Sequence, residues 1–228
     1  EIQDQLQQKD EKIKEIQKDL KKAFEYFEYS SSYGNSDALC NLGVCYFNGE
    51  GVEKDLNKAI EYYEQSSKLG NSRALFILGL CYANGDGVEH NYVKSIEYLE
   101  KSSKLGNSEA LCNLGSYYAN GLGVKQDYKK AIEYFEQSSK LGNPGALYNL
   151  GMCYAIGKGV NQSYSKAVEY FEQSSKLGNP EAAYYLGICY LKGGGVEQNN
   201  AKAIEYLEQS SKLGNSKASL FLGSCYAN

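Results

Sequence analysis

The phrase Lys-Leu-Gly-Asn recurs along this chain at a constant spacing of 36 residues, ending at Asn71, Asn107, Asn143, Asn179 and Asn215. Five full repeats therefore run over 36–71, 72–107, 108–143, 144–179 and 180–215, and a partial repeat follows at 216–228. A half repeat at 21–35 aligns with the second half of a full one, and residues 1–20 form a lead-in segment. A unit this short cannot bury an apolar face alone, so we expect consecutive repeats to stack on one another.

Each repeat has the pattern of two amphipathic helices joined by a glycine-containing loop. In the first repeat, Ala38, Leu42 and Tyr46 are four residues apart, which predicts one face of a helix. The second helix carries its stripe at Ala59, Ile60, Tyr63 and Ser67. Between the helices, the glycines of the loop at 48–52 end the first helix. The pattern predicts an all-α fold of stacked helix hairpins, preceded by a long N-terminal helix.

A glycine stands in the middle of every predicted first helix, where it costs roughly 1 kcal/mol relative to alanine. These glycines are Gly43, Gly79, Gly115, Gly151, Gly187 and Gly223. A cost that recurs indicates a structural need that recurs. We expect that need to be close approach of the second helix through a small residue, such as Ala59 or Ala131.

The lead-in segment merges with the half repeat into one apolar pattern. Its candidate seam has heptad spacing and consists of Ile2, Leu6, Ile13, Ile16 and Leu20, with Lys9 as a polar member. Because residues 1–28 contain neither glycine nor proline, we expect a single long helix. Three roles stay open for it: a coiled coil with a second copy, a cap on the repeats, or an effect of where the chain begins. Both ends of the chain look cut, so we expect it to be part of a longer protein.

Composition argues against several classes of function. No apolar run approaches the roughly 20 residues of a membrane helix, and a net charge of -4 with a pI near 5.3 argues against nucleic-acid binding. The single histidine, His90, removes histidine-based triads and histidine-ligated zinc sites. The run Gly193-Gly194-Gly195 lacks the Gly-Lys-Ser/Thr that follows in a phosphate-binding loop. We therefore expect no enzymatic activity, no catalytic residues, no cofactor and no metal site.

The chain has seven cysteines, five of which occupy one position of the repeat: Cys45, Cys81, Cys153, Cys189 and Cys225. Packed helices lie about 8–10 Å apart, whereas a disulfide requires Cα atoms within about 7 Å. Equivalent cysteines in neighbouring repeats are therefore too far apart to bridge. We expect reduced cysteines that act as small core residues, which favours a cytoplasmic location.

The repeat closely resembles the Sel1-like repeat, a relative of the tetratricopeptide repeat with a longer loop inside the hairpin. The residues that carry the resemblance in one repeat are Ala110, Leu111, Leu114, Gly115, Tyr118, Asn120, Gly121, Gly123, Val124, Lys130 and Ala131. The resemblance covers about residues 21–228 and implies a right-handed superhelical α-solenoid that serves as an adaptor or scaffold. Cysteine-rich secreted members of the family bridge neighbouring repeats. This chain has Ser67 and Leu75 at the matching positions, so those bridges are absent.

Positions that vary between repeats are candidates for binding, and in a tetratricopeptide-like stack the first helices line the concave face. The candidate groove residues are Phe76, Leu80, Tyr148, Met152, Tyr184, Ile188 and Leu191. An apolar and aromatic groove suits an amphipathic helix or an extended peptide. The alternative is that the repeats bury these residues against their own helices.

We therefore expect a non-catalytic protein–protein interaction scaffold or adaptor that binds a partner peptide or helix on its concave face. The alternative is a regulatory or substrate-recruiting repeat segment of a larger multidomain enzyme or complex. The expected partners are other proteins, with no nucleic acid and no membrane. Self-association through the N-terminal helix is a further interpretation of the seam.

Overall fold

The computed structural model describes residues 2–226, with side chains for residue 9 and for residues 11–224. Over that range the chain forms twelve helices and no strand, so the predicted all-α fold is confirmed. The first five helices are α1 (Ile2–Ser31), α2 (Ser36–Asn48), α3 (Leu56–Lys68), α4 (Ser72–Asn84) and α5 (Tyr92–Lys104). The other seven are α6 (Ser108–Asn120), α7 (Tyr128–Lys140), α8 (Pro144–Ile156), α9 (Tyr164–Lys176), α10 (Pro180–Lys192), α11 (Asn200–Lys212) and α12 (Ser216–Tyr226).

The helices are grouped into an N-terminal unit, Glu1–Asn107, and a C-terminal unit, Ser108–Asn228. Within the N-terminal unit each helix packs on the next one along the chain, from α1 to α5. Within the C-terminal unit the same sequential packing runs from α6 to α12. Each unit is therefore built from consecutive antiparallel hairpins, in which a first helix such as α8 pairs with a second helix such as α9.

One glycine and one asparagine connect each repeat to the next. The Gly70 N–H donates to the Ser67 carbonyl at 3.0 Å and the Asn71 N–H donates to the Ser66 carbonyl at 3.3 Å, with Gly70 at φ +80°. These two hydrogen bonds identify the end of α3 as a Schellman motif, which requires a residue with left-handed backbone angles, here Gly70. Asn71 then accepts the Ala74 amide on its side-chain oxygen at 2.9 Å and begins α4. A three-residue connection thus both stops one helix and starts another.

A buried serine links the two helices of each hairpin. The Ser66 hydroxyl is fully buried and donates to the Ser36 carbonyl at 2.7 Å. The same 2.7 Å bond recurs in the pairs Ser102–Ser72, Ser138–Ser108, Ser174–Pro144 and Ser210–Pro180. The prediction that Ser67 belongs to the apolar stripe is wrong, because Ser67 is half-buried and donates to the Glu64 carbonyl of its own helix. The last turn of the second helix is thereby tied to the first turn of the first helix.

The repeated tyrosines form stacks at the edge of the core. Tyr46 stacks on Tyr62 with ring centroids 5.5 Å apart, and the Lys58 ammonium lies 5.2 Å from the Tyr46 centroid. At the repeat position of Tyr46, Tyr46 and Tyr190 are buried, whereas Tyr82, Tyr118 and Tyr154 are half-buried; the Tyr226 side chain lies outside the described residues. The tyrosine at this repeat position therefore packs at the edge of the core and also forms a cation–π contact with a lysine.

Six cysteines lie within the described side chains and all six are free thiols; the seventh, Cys225, lies outside them. Burial raises the pKa of the Cys81 thiol from 9.0 to about 12, and that of the Cys112 thiol to about 11. These thiols are therefore neutral near pH 7, which makes them poor nucleophiles.

Candidate binding face of the first helices

The seven predicted binding residues all lie on first helices and all are half-buried. Phe76 and Leu80 lie on α4, in the N-terminal unit. The other five lie in the C-terminal unit, Tyr148 and Met152 on α8 and Tyr184, Ile188 and Leu191 on α10. We call the surface formed by these five residues the first-helix face of the C-terminal unit.

Tyr148 is anchored in the core of its own chain. Its ring centroid lies 6.1 Å from that of Phe171 and 5.8 Å from that of Tyr185, so it connects α8 to the next hairpin. Burial, with Tyr185 as a secondary cause, raises the Tyr148 pKa to about 12. Much of this side chain therefore serves internal packing, and only part of it faces outward.

Tyr184 lies on α10 and also contacts the core of its own chain. Its ring meets Tyr185 edge-on at a centroid distance of 5.5 Å and packs against the buried cluster of Leu207, Ala218 and Leu222. A cavity of about 210 Å³ opens beside it, lined by Tyr148, Glu181, Tyr184, Tyr185, Gly214, Asn215, Ser216 and Lys217. The two predicted tyrosines thus border one cavity, whose mouth carries both an acidic and a basic side chain.

Met152 borders a second cavity of about 180 Å³, which also has Asn149, Ser116 and Ile156 among its lining residues. Ile156 is 51% exposed and was not among the predicted binding residues. Its signal is present in the sequence, because the equivalent residues of the three preceding repeats are the asparagines Asn48, Asn84 and Asn120. An exposed isoleucine that replaces a repeated asparagine belongs with the apolar positions of this face.

In the first full repeat, the position equivalent to Tyr148 is buried and is not part of a surface. Cys40, which corresponds to Tyr148, is only 1% exposed and belongs to the core. Cys112, the matching residue of α6, is half-buried and accepts a hydrogen bond from the Asn149 amide at 3.6 Å. Only some repeats therefore present an aromatic residue at this position.

The seam of α1 is partly placed by the structure. Ile13 is 51% and Ile16 is 59% exposed, and Leu20 is half-buried, while the side chains of Ile2 and Leu6 lie outside the described residues. Further along the helix, Phe24 is buried and meets the Tyr46 ring edge-on at 5.6 Å. The C-terminal part of α1 is therefore packed on α2, and its middle turns expose two isoleucines.

Neither a metal centre nor a membrane span emerges from the described residues. Their His, Cys, Asp and Glu side chains form no group of three that could hold a metal ion. No helix in this part of the chain combines the length and the apolar character that crossing a bilayer requires.

The Sel1 repeat family model matches residues 14–35, 36–71, 72–107, 108–143, 144–179 and 180–215. The chain belongs to the Sel1 repeat family. Among solved structures, a Sel1 repeat protein from Oxalobacter formigenes is 30% identical with a TM-score of 0.85, over 94% of this chain and 90% of that one. Sel1 repeat proteins generally mediate protein–protein interaction and generally lack catalytic activity.

Two further structures extend the comparison. A protective antigen of uropathogenic Escherichia coli with an SLR fold is 30% identical with a TM-score of 0.80, over 89% of this chain. The present chain spans only 44% of the length of that antigen. An immunity protein from Pseudomonas aeruginosa is 24% identical with a TM-score of 0.61, over 85% of this chain and 74% of that one, and shows the shared fold alone. No curated protein sequence matched. Together these likenesses establish the TPR-like solenoid class.

Proposed function

We propose that this Sel1 repeat chain is a non-catalytic scaffold that binds a partner peptide or helix on the first-helix face of the C-terminal unit. The observation that carries the proposal is a half-buried apolar set at positions that differ between repeats, while the packing residues repeat. Tyr184, Ile188 and Leu191 follow the i, i+4, i+7 spacing of one helix face, and Met152 and Ile156 lie on the neighbouring first helix.

The arrangement favours a helix or an extended peptide with apolar anchors. Two first helices present parallel rows of apolar side chains, and cavities of about 210 and 180 Å³ open along them. Cavities of this size suit one or two side chains of a partner rather than a whole small molecule. Because Glu181 and Lys217 border one cavity, a polar group beside the anchor would find a charged counterpart at its rim.

Site-specific photocrosslinking tests this proposal. A photoreactive phenylalanine at Ile188 should capture a partner from extracts of the source cells. The same group at Ile204, an exposed residue on the second helix α11, serves as the control and should capture much less of that partner. Equal capture at both positions, in a protein whose helical content is unchanged, would contradict binding on the first-helix face.

A second proposal concerns α1, which we infer associates with the α1 helix of a second copy. Its basis is the pair of exposed isoleucines, Ile13 and Ile16, which lie among polar residues at 9–12, 14–15 and 17–19 of the helix. Sedimentation equilibrium should show a dimer that becomes a monomer in the variant Ile13→Lys/Ile16→Lys. As a control, Lys12→Ala/Lys14→Ala should leave the dimer intact. A wild-type chain that is monomeric at every concentration tested would refute this association.

A further inference from the structure

Two further cavities of the C-terminal unit lie where the loop inside a hairpin meets the start of its second helix. Their volumes are about 650 and 700 Å³, and both are bordered by Lys129 and Gly159, so they adjoin. Four lysines and two tyrosines contribute to their walls: Lys125, Lys129, Lys130, Lys166, Tyr118 and Tyr154. Lys158 precedes Gly159 in the same loop and lines the neighbouring cavity of about 180 Å³, with its ammonium 5.1 Å from the Tyr128 centroid. We call these five lysines and the two cavities the lysine trough.

The charge of the trough departs from the rest of the repeats. Lys125 lies in the loop between α6 and α7, and three other repeats carry a glutamate at the same position: Glu53, Glu89 and Glu197. Lys158 lies in the loop between α8 and α9, and the first two repeats carry the acidic residues Glu50 and Asp86 at the same position. The chain as a whole has a net charge of -4, so a local excess of lysines is a departure from its average. Packing does not require the change, because the other repeats form the same loop with acidic residues.

Aromatic rings position three of the five ammonium groups. Lys130 lies 4.1 Å from the Tyr118 centroid and donates to the Tyr118 hydroxyl at 2.6 Å. Lys166 lies 5.2 Å from the Tyr154 centroid, and Lys158 lies over Tyr128. A ring holds an ammonium group by its quadrupole without neutralising the charge, as a carboxylate would. These three lysines are therefore held in place and keep their attraction for an anion.

Asp127 is the one carboxylate among the described residues that line the two cavities. Its Oδ1 accepts the backbone amides of Lys129 at 3.0 Å and Lys130 at 3.1 Å, which makes it the N-cap of α7. The carboxylate is thus directed to the helix start. Five lysines and one capping aspartate leave the trough strongly positive.

We propose that the lysine trough binds an acidic peptide segment of a partner protein. The trough is short, because the equivalent loop of the next repeat has Glu197 beside a separate cavity of about 330 Å³. A ligand with a short run of carboxylates complements this charge pattern, in which two loops with lysines are followed by one with Glu197. A nucleic acid, whose charge is uniform along its length, would meet Glu197 as it continued. The trough adjoins the Met152 cavity at Tyr128 and Lys158, and its proposed acidic ligand goes beyond the proposed binding on the first-helix face.

Fluorescence anisotropy with a short fluorescein-labelled polyglutamate peptide tests the trough in the whole chain. The variant Lys125→Gln/Lys129→Gln/Lys166→Gln removes three exposed charges that line the two cavities of the trough. The matched control, Lys140→Gln/Lys176→Gln/Lys212→Gln, removes three exposed charges at the ends of second helices. We expect the trough variant to weaken binding about tenfold, as the sum of three exposed charge interactions, and the control to change it less than about twofold. Thermal melting confirms that both variants fold.

The reciprocal change extends the trough. Glu197→Lys should strengthen peptide binding, because it places a lysine where the acidic loop now ends the positive surface. Equal weakening in the trough variant and its matched control would overturn the proposal, since binding would then follow net charge alone. Tighter binding of a single-stranded oligothymidylate of the same charge would also overturn it, in favour of a nucleic-acid surface. Added salt should weaken the specific binding, because the lysines are exposed.

Discussion

The backbone of Gly115 lies directly against the ring of Phe135. A Cβ at Gly115 would stand 2.6 Å from the nearest ring carbon and 3.1 Å from the Ala131 carbonyl oxygen. The same relationship joins Gly43 to Tyr63, Gly79 to Leu99, Gly151 to Phe171 and Gly187 to Leu207. Each hairpin therefore closes by packing one large side chain of the second helix onto a bare stretch of the first.

This relationship corrects the sequence-based expectation in one respect. The need for close approach is real, but the small residue predicted to face the glycine contributes only its carbonyl oxygen. The large residue four positions later covers the glycine itself, as Phe135 follows Ala131. Repeat spacing does not reveal how far one helix is shifted along the other, so it could not decide between these two partners.

Substitution of Gly115 by alanine tests the packing directly. Although alanine has the higher helix propensity, the added methyl group would overlap the Phe135 ring. We expect Gly115→Ala to lower the free energy of unfolding by about 1–3 kcal/mol, measured by urea denaturation.

Gly223 is the matched control, because a Cβ there would meet no atom within 4 Å. Gly223→Ala should leave stability unchanged or raise it by up to about 1 kcal/mol. Equal effects of the two substitutions would show that the glycine position is not a packing contact.

The buried serine offers a second test, on Ser138 and its neighbour. Ser138 is fully buried and donates to the Ser108 carbonyl across the hairpin, so Ser138→Ala should destabilise the fold by about 1 kcal/mol. Ser139 is half-buried and donates at 2.9 Å to the Glu136 carbonyl within its own helix. Ser139→Ala should be neutral or slightly stabilising, since alanine is the better helix former. A larger loss at Ser139 than at Ser138 would contradict the assignment of the buried hydrogen bond.

Much of the fold could be predicted because the residues that set each helix boundary are themselves repeated. Gly70 and Asn71 stop one helix and start the next, and both belong to the phrase that defines the period. The period could not distinguish Ser66 from Ser67, because neighbouring residues on a helix differ by only about 100° in direction and both lie near the edge of the stripe.

The lysine trough shows the opposite limit. The unusual charges of Lys125 and Lys158 are visible when repeats are compared. That the two cavities adjoin at Lys129 and Gly159 depends on how consecutive loops pack, which the period does not specify.

The buried thiols predict a loss of stability at high pH. Burial favours the neutral thiol in the folded state and raises the pKa of Cys81 from 9.0 to about 12. The stability that this thiol contributes is fully present below pH 9, the pKa of the thiol in the unfolded chain. It is lost as the pH rises towards about 12, the pKa in the folded chain. Urea unfolding at pH values on either side of 9 should show falling stability above it. The variant Cys81→Ala should show a shallower fall, and an unchanged slope in that variant would contradict the role of this thiol.

The most direct test of the first-helix face compares Tyr184→Ala with Tyr148→Ala, measuring stability and capture of the partner crosslinked at Ile188. Tyr184→Ala should weaken partner binding by about 1–2 kcal/mol and lower the free energy of unfolding less than Tyr148→Ala does. Tyr148→Ala should lower the free energy of unfolding by about 2–4 kcal/mol, since its ring packs on Phe171 and Tyr185. Equal, large losses of stability at both sites, with partner binding by the folded fraction unchanged, would contradict the proposal that this face binds a partner.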